Sequence, residues 1–372
     1  MRRIPVCIPS LGKKEYSYIL DCLRTNWISS SGRYINLFEE KFSQYCGRAY
    51  GIATTNGTSA LHLTLLALKI VPGDEVIMPT FTIASTAFAV IYCGAKPVFV
   101  DSEVDTWNMD PSLIESKITK RTKAIMPVHI YGHPCEMTPI MALARKYGLA
   151  VIEDAAEAHG AEYMGQKAGS FGKVSCFSFY GNKIITSGEG GMVLTDDKRI
   201  AQRCRRLKNM SFGQKIRYRH EEIGFNYRMT NLQAALGLAQ FENIETLIKK
   251  RRADALLYNR LLSETKGLTL PVERPNTRNV YWMYALLVNK DFGLSRNELM
   301  NRLKRRGIAT RTFFIPMHQQ PILRKLRLIS KERFPVAEDS AKRGLYLPSG
   351  SGLERREIEY ICDCIKRTRR TT

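Results

Sequence analysis

Between residues 50 and 195 the chain repeats one pattern, a short apolar run, a polar or glycine-rich break, then the next run, with helical spacing in between. The runs fall at 50–54, 75–78, 96–100, 124–128, 150–153, 174–179 and 191–195, and residues 59–68 and 82–92 carry apolar positions at spacings of three and four. Strands that are apolar along their length and separated by helices belong in a mostly parallel sheet covered on both faces. The predicted class is therefore α/β.

After about residue 235 the pattern changes. A long basic amphipathic helix is predicted over 243–264, followed by a strand at 281–288 and helices at 296–306 and 355–366. A chain of 372 residues is comfortable for two domains. The expected division is a large domain over 1–240, with an N-terminal arm, and a smaller α+β domain over 241–372. No apolar run reaches the ~18 residues of a membrane span. The basic start is broken by Pro5 and Pro9 and reads as mature chain, so a cytoplasmic protein is expected. The nine cysteines are scattered, and Cys362-Asp-Cys364 matches neither a zinc spacing nor a redox motif. They read as buried thiols, and no metal site is expected.

Charge is the unusual feature. There are 57 basic and 35 acidic residues, a net charge of +22. Such a balance suits a nucleic-acid binder or an enzyme for an anionic substrate. The basic runs at 249–252, 304–306 and 366–370 lie in helical stretches without interleaved aromatics, so they offer no stacking platform. Solvated helix faces explain them, and nucleic acid is not an expected partner.

Ligands of open α/β sheets bind beyond the carboxyl ends of the strands, and three such ends carry chemistry here. The first run is followed by Asn56-Gly57-Thr58-Ser59 at the start of a helix. Free N–H groups, a positive dipole end and two hydroxyls make a phosphate cradle there, although a capping Ser or Thr gives the same letters. The run at 150–153 ends in Asp154-Ala-Ala-Glu157-Ala-His159, where a carboxylate can hold a buried cation. The run at 174–179 leads to Tyr180-Gly-Asn-Lys183 and then Gly188-Glu-Gly-Gly191. A lysine set between glycines past an apolar strand can lose its water, and its amine then becomes a free nucleophile near neutral pH.

Together these segments resemble the DegT/DnrJ/EryC1/StrS sugar aminotransferases, a branch of the fold-type-I enzymes that use pyridoxal 5'-phosphate (PLP). The resemblance also rests on Trp27-Ile-Ser-Ser-Ser-Gly-Arg-Tyr-Ile35, Thr55-Asn-Gly-Thr-Ser-Ala-Leu-His62, Pro79-Thr-Phe-Thr-Ile-Ala-Ser-Thr86 and Gly224-Phe-Asn-Tyr-Arg-Met229, and spans essentially the whole chain. It implies Lys183 as the Schiff-base lysine and Asp154 as the partner of the protonated pyridine nitrogen. It implies Phe81 as the aromatic on the ring, and Gly57, Thr58, Ser59 and Ser178 around the phosphate. Asn226 would reach the phosphate from a second subunit, which implies a homodimer with shared sites. Glu157 stands where many members carry Gln, near the cofactor's phenolic oxygen. An ionised Glu would repel a phenolate, so it must be protonated, bridged or turned away. His159, Arg228 and His318 are the expected substrate contacts. Related dehydratases carry His in place of Lys183, so transfer and not elimination is implied.

The implied reaction is a ping-pong transfer from L-glutamate to a nucleotide-linked 4-keto-6-deoxy sugar. The resemblance, carried within the family by Tyr180-Gly-Asn-Lys183, Trp282-Met-Tyr284 and the segment from Arg311 to Pro321, implies GDP-4-keto-6-deoxy-D-mannose as acceptor and GDP-perosamine as product, for a cell-surface polysaccharide such as O-antigen. The alternatives are a dTDP- or UDP-linked keto sugar, amination at carbon 3, and a PLP-binding regulator without turnover.

Overall fold

The computed structural model describes residues 3–213, 215–329 and 331–370; Met1 and Arg2 of the basic start lie outside them. Each of the seven apolar runs forms a strand, and the seven make one sheet in the order β1-β9-β8-β5-β4-β2-β3. The strands are β1 (Tyr50–Thr54), β2 (Glu75–Pro79), β3 (Lys96–Val100), β4 (Thr122–Ile125), β5 (Ala150–Asp154), β8 (Val174–Ser178) and β9 (Gly191–Thr195). Neighbours from β3 to β8 pair parallel, while β9 runs antiparallel between β8 and β1.

β4 stops at Ile125, short of the expected 128. Met126 still donates its N–H to the Ile77 carbonyl at 2.7 Å, but Pro127 has no N–H to give and breaks the ladder. Pairing resumes as a single bridge, Val128 to Asp154. The helix expected over 82–92 begins at Ala84, because Ile83 is still extended at φ −71 and ψ 150.

The register brings three strand ends to one edge. Thr54 pairs with Gly191, and Gly191 pairs with Ser178. On the other side of β8, Asp154 of β5 pairs with Cys176. Gly191 is required at this junction, since a Cβ there would stand 2.3 Å from the Asn56 carbonyl oxygen. The helix Gly57–Ala67 springs from the same edge. Asn56 and Ser59 form a capping box at its start, and Leu61, Leu63 and Leu65 are buried along it.

A second sheet, in the order β10-β12-β14-β13, is antiparallel throughout: β10 (Leu268–Thr269), β12 (Tyr284–Val288), β14 (Gly344–Leu347) and β13 (Arg311–Thr312). The short strands β6 (Glu162–Tyr163), β7 (Gln166–Lys167) and β11 (Thr277–Arg278) make a third sheet that ties the two parts together. The helix Ile244–Leu262 serves both hydrophobic cores. Ile248 packs into the core of the large sheet, and Ala255, Tyr258 and Leu262 pack into that of the small sheet. Between them on this helix, buried Arg251 donates to the carbonyls of Trp282 and Ser349, one residue from each side of the small sheet's β12–β14 pair. Ile4 bridges to Ile308, so the N-terminal segment also lies on the small sheet. Among the described residues no helix is long and apolar enough to cross a membrane. All nine cysteines are free, eight of them buried and Cys7 partly so.

Phe42 anchors the face of the large sheet. It is fully buried, with Phe177 edge-on at 5.0 Å and Phe179 edge-on at 5.2 Å. Phe42→Ala removes those contacts and leaves a cavity, so it is expected to cost about 3–5 kcal/mol. The check is a urea titration, in which the midpoint should fall while the slope stays the same.

Candidate active site

The edge where β1, β5 and β8 end opens into a cleft of about 400 Å³. Gly57, Thr58, Asp154, Ser178 and Lys183 line it from the large sheet, and Trp282, Phe314 and Tyr346 close it from the small-sheet side.

Lys183 sits in the turn after β8, with its N–H on the Tyr180 carbonyl at 2.9 Å. Its side chain is only 9% exposed. The ammonium lies 3.7 Å from the centre of the Trp282 ring, whose indole N–H donates to the Asn182 carbonyl at 2.8 Å. Burial lowers the lysine's pKa, and the charges of Glu157 and Asp154 oppose the shift without cancelling it. The amine is thereby poised to act as a free base.

Asp154 ends β5 and is buried. One carboxyl oxygen accepts from the Thr86 hydroxyl at 2.9 Å, and the other only a long N–H from Ala156 at 3.3 Å. Burial raises its pKa, against the pull of these donors and of Lys183. A carboxylate so poorly provided with partners, facing a cleft, suits a cationic ring nitrogen.

At the far end of the cleft, Gly57 and Thr58 occupy the first turn of the helix, where N–H groups have no partner within the helix. A Cβ on Gly57 would meet the Ser178 Cβ at 2.9 Å, so only glycine lets these two segments close on a small anion. Thr58 donates its hydroxyl to Ser85, another residue on the cleft. Ser59 differs from expectation. Its N–H and hydroxyl are both spent on Asn56, at 2.8 Å each, and it does not line the cleft. It completes the Asn56 capping box at the third helical position, while Gly57, Thr58 and Ser178 line the cleft.

Glu157 stands behind the lysine. Oε2 accepts the Tyr131 N–H at 2.7 Å, and Oε1 lies 4.0 Å from the Lys183 amine. Burial raises its pKa to about 7, with Lys183 pulling the other way. His159, an expected substrate contact, is off the cleft wall. It is fully buried among Phe42, Phe177 and Phe179, with ring centres at 6.2, 5.3 and 5.5 Å. Burial drives its pKa down to about 3, so the ring is neutral.

Phe81 is also displaced from its expected role. It is fully buried against Phe313 at 5.5 Å and Tyr131 at 6.1 Å. Two residues later Ile83 faces the cleft instead. Asn226 is exposed and Arg228 half-buried, away from the cleft of this chain. Arg228 donates to Asn226 at 2.9 Å and to Asn209 at 3.2 Å. His318 is buried away from the cleft as well, its ring hydrogen-bonded to Thr80 at 2.7 Å and its far nitrogen 3.3 Å from Glu338.

Sequence reading passed over Asn182, Glu189 and Tyr346, and took Trp282 and Phe314 only as subfamily marks. The three aromatics that close the cleft lie in and around β12, β13 and β14, where no strand-end motif announces them. The cleft is also not the seat of the basic excess. Its lining carries one basic residue, Lys183, against Asp154 and Glu189.

An amine free to lose its proton, an under-partnered carboxylate and a helix N-terminus with a serine beside it are the donor set that PLP requires, and they share one cleft. The comparisons agree. The DegT/DnrJ/EryC1/StrS aminotransferase family matches residues 9–366. A GDP-perosamine synthase of Escherichia coli O157:H7 is 45% identical over 365 residues, covering 98% of each chain. A second, from Caulobacter vibrioides, is 44% identical over 360 residues, covering 96% of each. Among solved structures, the PLP form of the putative sugar aminotransferase Spr1654 from Streptococcus pneumoniae superposes with a TM-score of 0.93 at 25% identity, covering 99% of both chains.

His159 offers a test of its structural placement. Its folded pKa lies below the ordinary value of 6.5. The unfolded chain therefore binds a proton that the native state refuses, and stability is lost as pH falls below 6.5. His159→Phe is expected to flatten that loss, measured as the urea midpoint between pH 7 and 5, while leaving the KM values for both substrates unchanged. A raised KM at unchanged stability would return His159 to the substrate site.

Proposed function

The chain belongs to the DegT/DnrJ/EryC1/StrS aminotransferase family, and from that premise we propose that it transfers the amino group of L-glutamate to GDP-4-keto-6-deoxy-D-mannose, giving GDP-perosamine. The observation that carries the reaction is the desolvated Lys183 amine on the same cleft as Asp154 and the helix N-terminus. The sugar rests on the likeness to GDP-perosamine synthases along nearly the whole chain.

PLP, when bound, supplies a carbonyl carbon that amines join and a conjugated ring that takes up electrons from the neighbouring carbon. Gly57, Thr58 and Ser178 would hold its phosphate by backbone N–H groups and hydroxyls. Asp154 would pair with the ring nitrogen and keep it protonated. Lys183 removes the α-proton of glutamate at its Nζ and later delivers a proton to the sugar's carbon 4 side, so one amine serves both halves of the exchange. Trp282 keeps water off that amine, which holds its basicity in the working range.

We assign the second half of the site to another copy of the chain. Asn226 is exposed, next to a loop that carries Tyr218 at 77% and Ile223 at 84% exposure. On the helix Lys13–Thr25, Tyr16, Leu20 and Leu23 form an exposed apolar stripe continued by Trp27. A homodimer that buries these surfaces would bring Asn226 to its partner's cleft. Arg228 and His318, neither of which lines this chain's own cleft, are kept as candidate contacts for the nucleotide sugar.

The test is the visible spectrum of the PLP-loaded protein before and after L-glutamate. Wild type is expected to pass to the pyridoxamine form and then to aminate GDP-4-keto-6-deoxy-D-mannose, seen by mass spectrometry of the product. Lys183→Ala should lower the rate of the glutamate step by at least about 1,000-fold, as loss of a positioned acid–base group does. A wild type that leaves the spectrum unchanged with glutamate would overturn the reading. A panel of dTDP- and UDP-linked keto sugars tests the acceptor.

A further inference from the structure

Glu157 is the carboxyl nearest the lysine amine, and the cleft chemistry above does not use it. It is 3% exposed, off the cleft wall, and two contacts fix it. The Tyr131 N–H holds Oε2 at 2.7 Å, which leaves Oε1 turned toward Lys183 Nζ at 4.0 Å. Tyr131 adopts a left-handed φ of 53° to present that N–H, a conformation uncommon for a residue with a bulky side chain. Its ring is held in place by Trp282 at 6.3 Å and Phe314 at 5.7 Å, both near-parallel to it. Gly132, next in the chain, has φ 97° and would place a Cβ 2.8 Å from the Trp282 nitrogen. The backbone that aims Glu157 at the lysine is thus the backbone that seats the tryptophan over it.

We infer that Glu157 is a positioning residue that shares one labile proton with Lys183, taking it on Oε1 whenever the lysine amine must act as a free base. This rests on the aminotransferase reading and adds a partner to its central residue. In the step, an N–H bond of the Lys183 ammonium breaks and an O–H bond on Glu157 forms. An ammonium and a carboxylate become an amine and a carboxylic acid, net charge is unchanged, and no other reactant is needed. The two atoms stand 4.0 Å apart, so a shift of about 1 Å would bring them to hydrogen-bond distance. Asp154 also attracts the lysine's charge, but less than Glu157 does, and one of its oxygens is engaged by Thr86. His159 is held neutral by its burial, and burial raises the phenols of Tyr131 and Tyr346 out of the working range. Burial also pushes the two partners toward each other, the acid up and the amine down. Burial thus narrows the gap that proton transfer between them must cross.

Glu157→Gln keeps an oxygen for the Tyr131 N–H and removes the proton site. The readout is the pH dependence of Lys183 acetylation by acetic anhydride in the full-length chain freed of PLP, followed on the Lys183 peptide by mass spectrometry. With its opposite charge gone, Lys183 is expected to react at lower pH, the profile moving by about one unit or more. A second measurement needs no Glu157 variant. The carbonyl stretch of a protonated carboxyl, read by difference infrared spectroscopy, should persist to higher pH in Lys183→Ala than in wild type, since the ammonium no longer lowers the acid's pKa. An unmoved acetylation profile, or equal infrared midpoints, would overturn the inference even if the glutamate reaction proceeds. A glutamate reaction that fails while both shifts appear would sink the aminotransferase reading alone.

Discussion

The rest of the structure depends on keeping water away from one amine. A lysine at the end of a strand is ordinarily a solvated cation. Here it is 9% exposed and covered by an indole at 3.7 Å. No single element achieves this. The strand β8 carries the lysine to the edge of the large sheet, and the segment before β12 carries the tryptophan that covers it. The cover works only if the two hydrophobic cores hold a fixed relation. The helix Ile244–Leu262 supplies that relation by packing into both, and its buried Arg251 grips the Trp282 carbonyl at 2.8 Å. A buried guanidinium held by carbonyls and without a carboxylate at hydrogen-bond distance is an expensive device. Its location, on the residue that covers the lysine, explains where the stability is spent.

The large sheet explains the second half of the arrangement. A parallel sheet puts every strand's carboxyl end on one edge, which delivers Thr54, Asp154 and Ser178 together. The antiparallel β9 does not spoil this, because its first residue, Gly191, pairs with the last residues of both neighbours. The turn that carries Lys183 joins β8 to β9 and so returns to the same edge. Glycine at 191 lets the backbone of Asn56 pass close enough for the next helix to start there. Anion-binding N–H groups, a buried carboxylate and a desolvated amine meet because of register.

Much of this was legible in the sequence. The seven strands followed from runs of buried apolar residues, since a strand covered on both faces leaves no alternation to misread. Gly57, Asp154 and Lys183 were legible as candidates because each lies at or just past a strand end, Ser178 only through the resemblance, and the register brings all of them, with Thr58, to one cleft. The misses have physical reasons too. Ser59 carries the same hydroxyl as Thr58, but it sits at the third helical position, where a capping box claims it. Phe81 and Ile83 lie two residues apart in one apolar segment. Only the start of the helix at Ala84 decides which of them faces the cleft. The helices over residues 13–25 and 33–45 went unassigned, the first because its apolar stripe faces outward as well as inward. Trp282 and Tyr346 come from strands of another sheet, and nothing local in their sequence reports that distant contact.

Glu157 and His159 show how far environment outweighs residue type. They stand two positions apart in one turn, and both are buried beyond 95%. His159 points into three phenylalanines and has no carboxylate to answer it, so burial, helped by the Lys183 charge, keeps the ring neutral. Glu157 points to the lysine and to a backbone N–H, which offset burial only in part and leave its pKa raised to about 7. A sequence motif names both residues as equals. The direction of each side chain, fixed by Phe42 on one side and by the left-handed turn at Tyr131 on the other, makes one a piece of the core and the other a neighbour of the reacting amine.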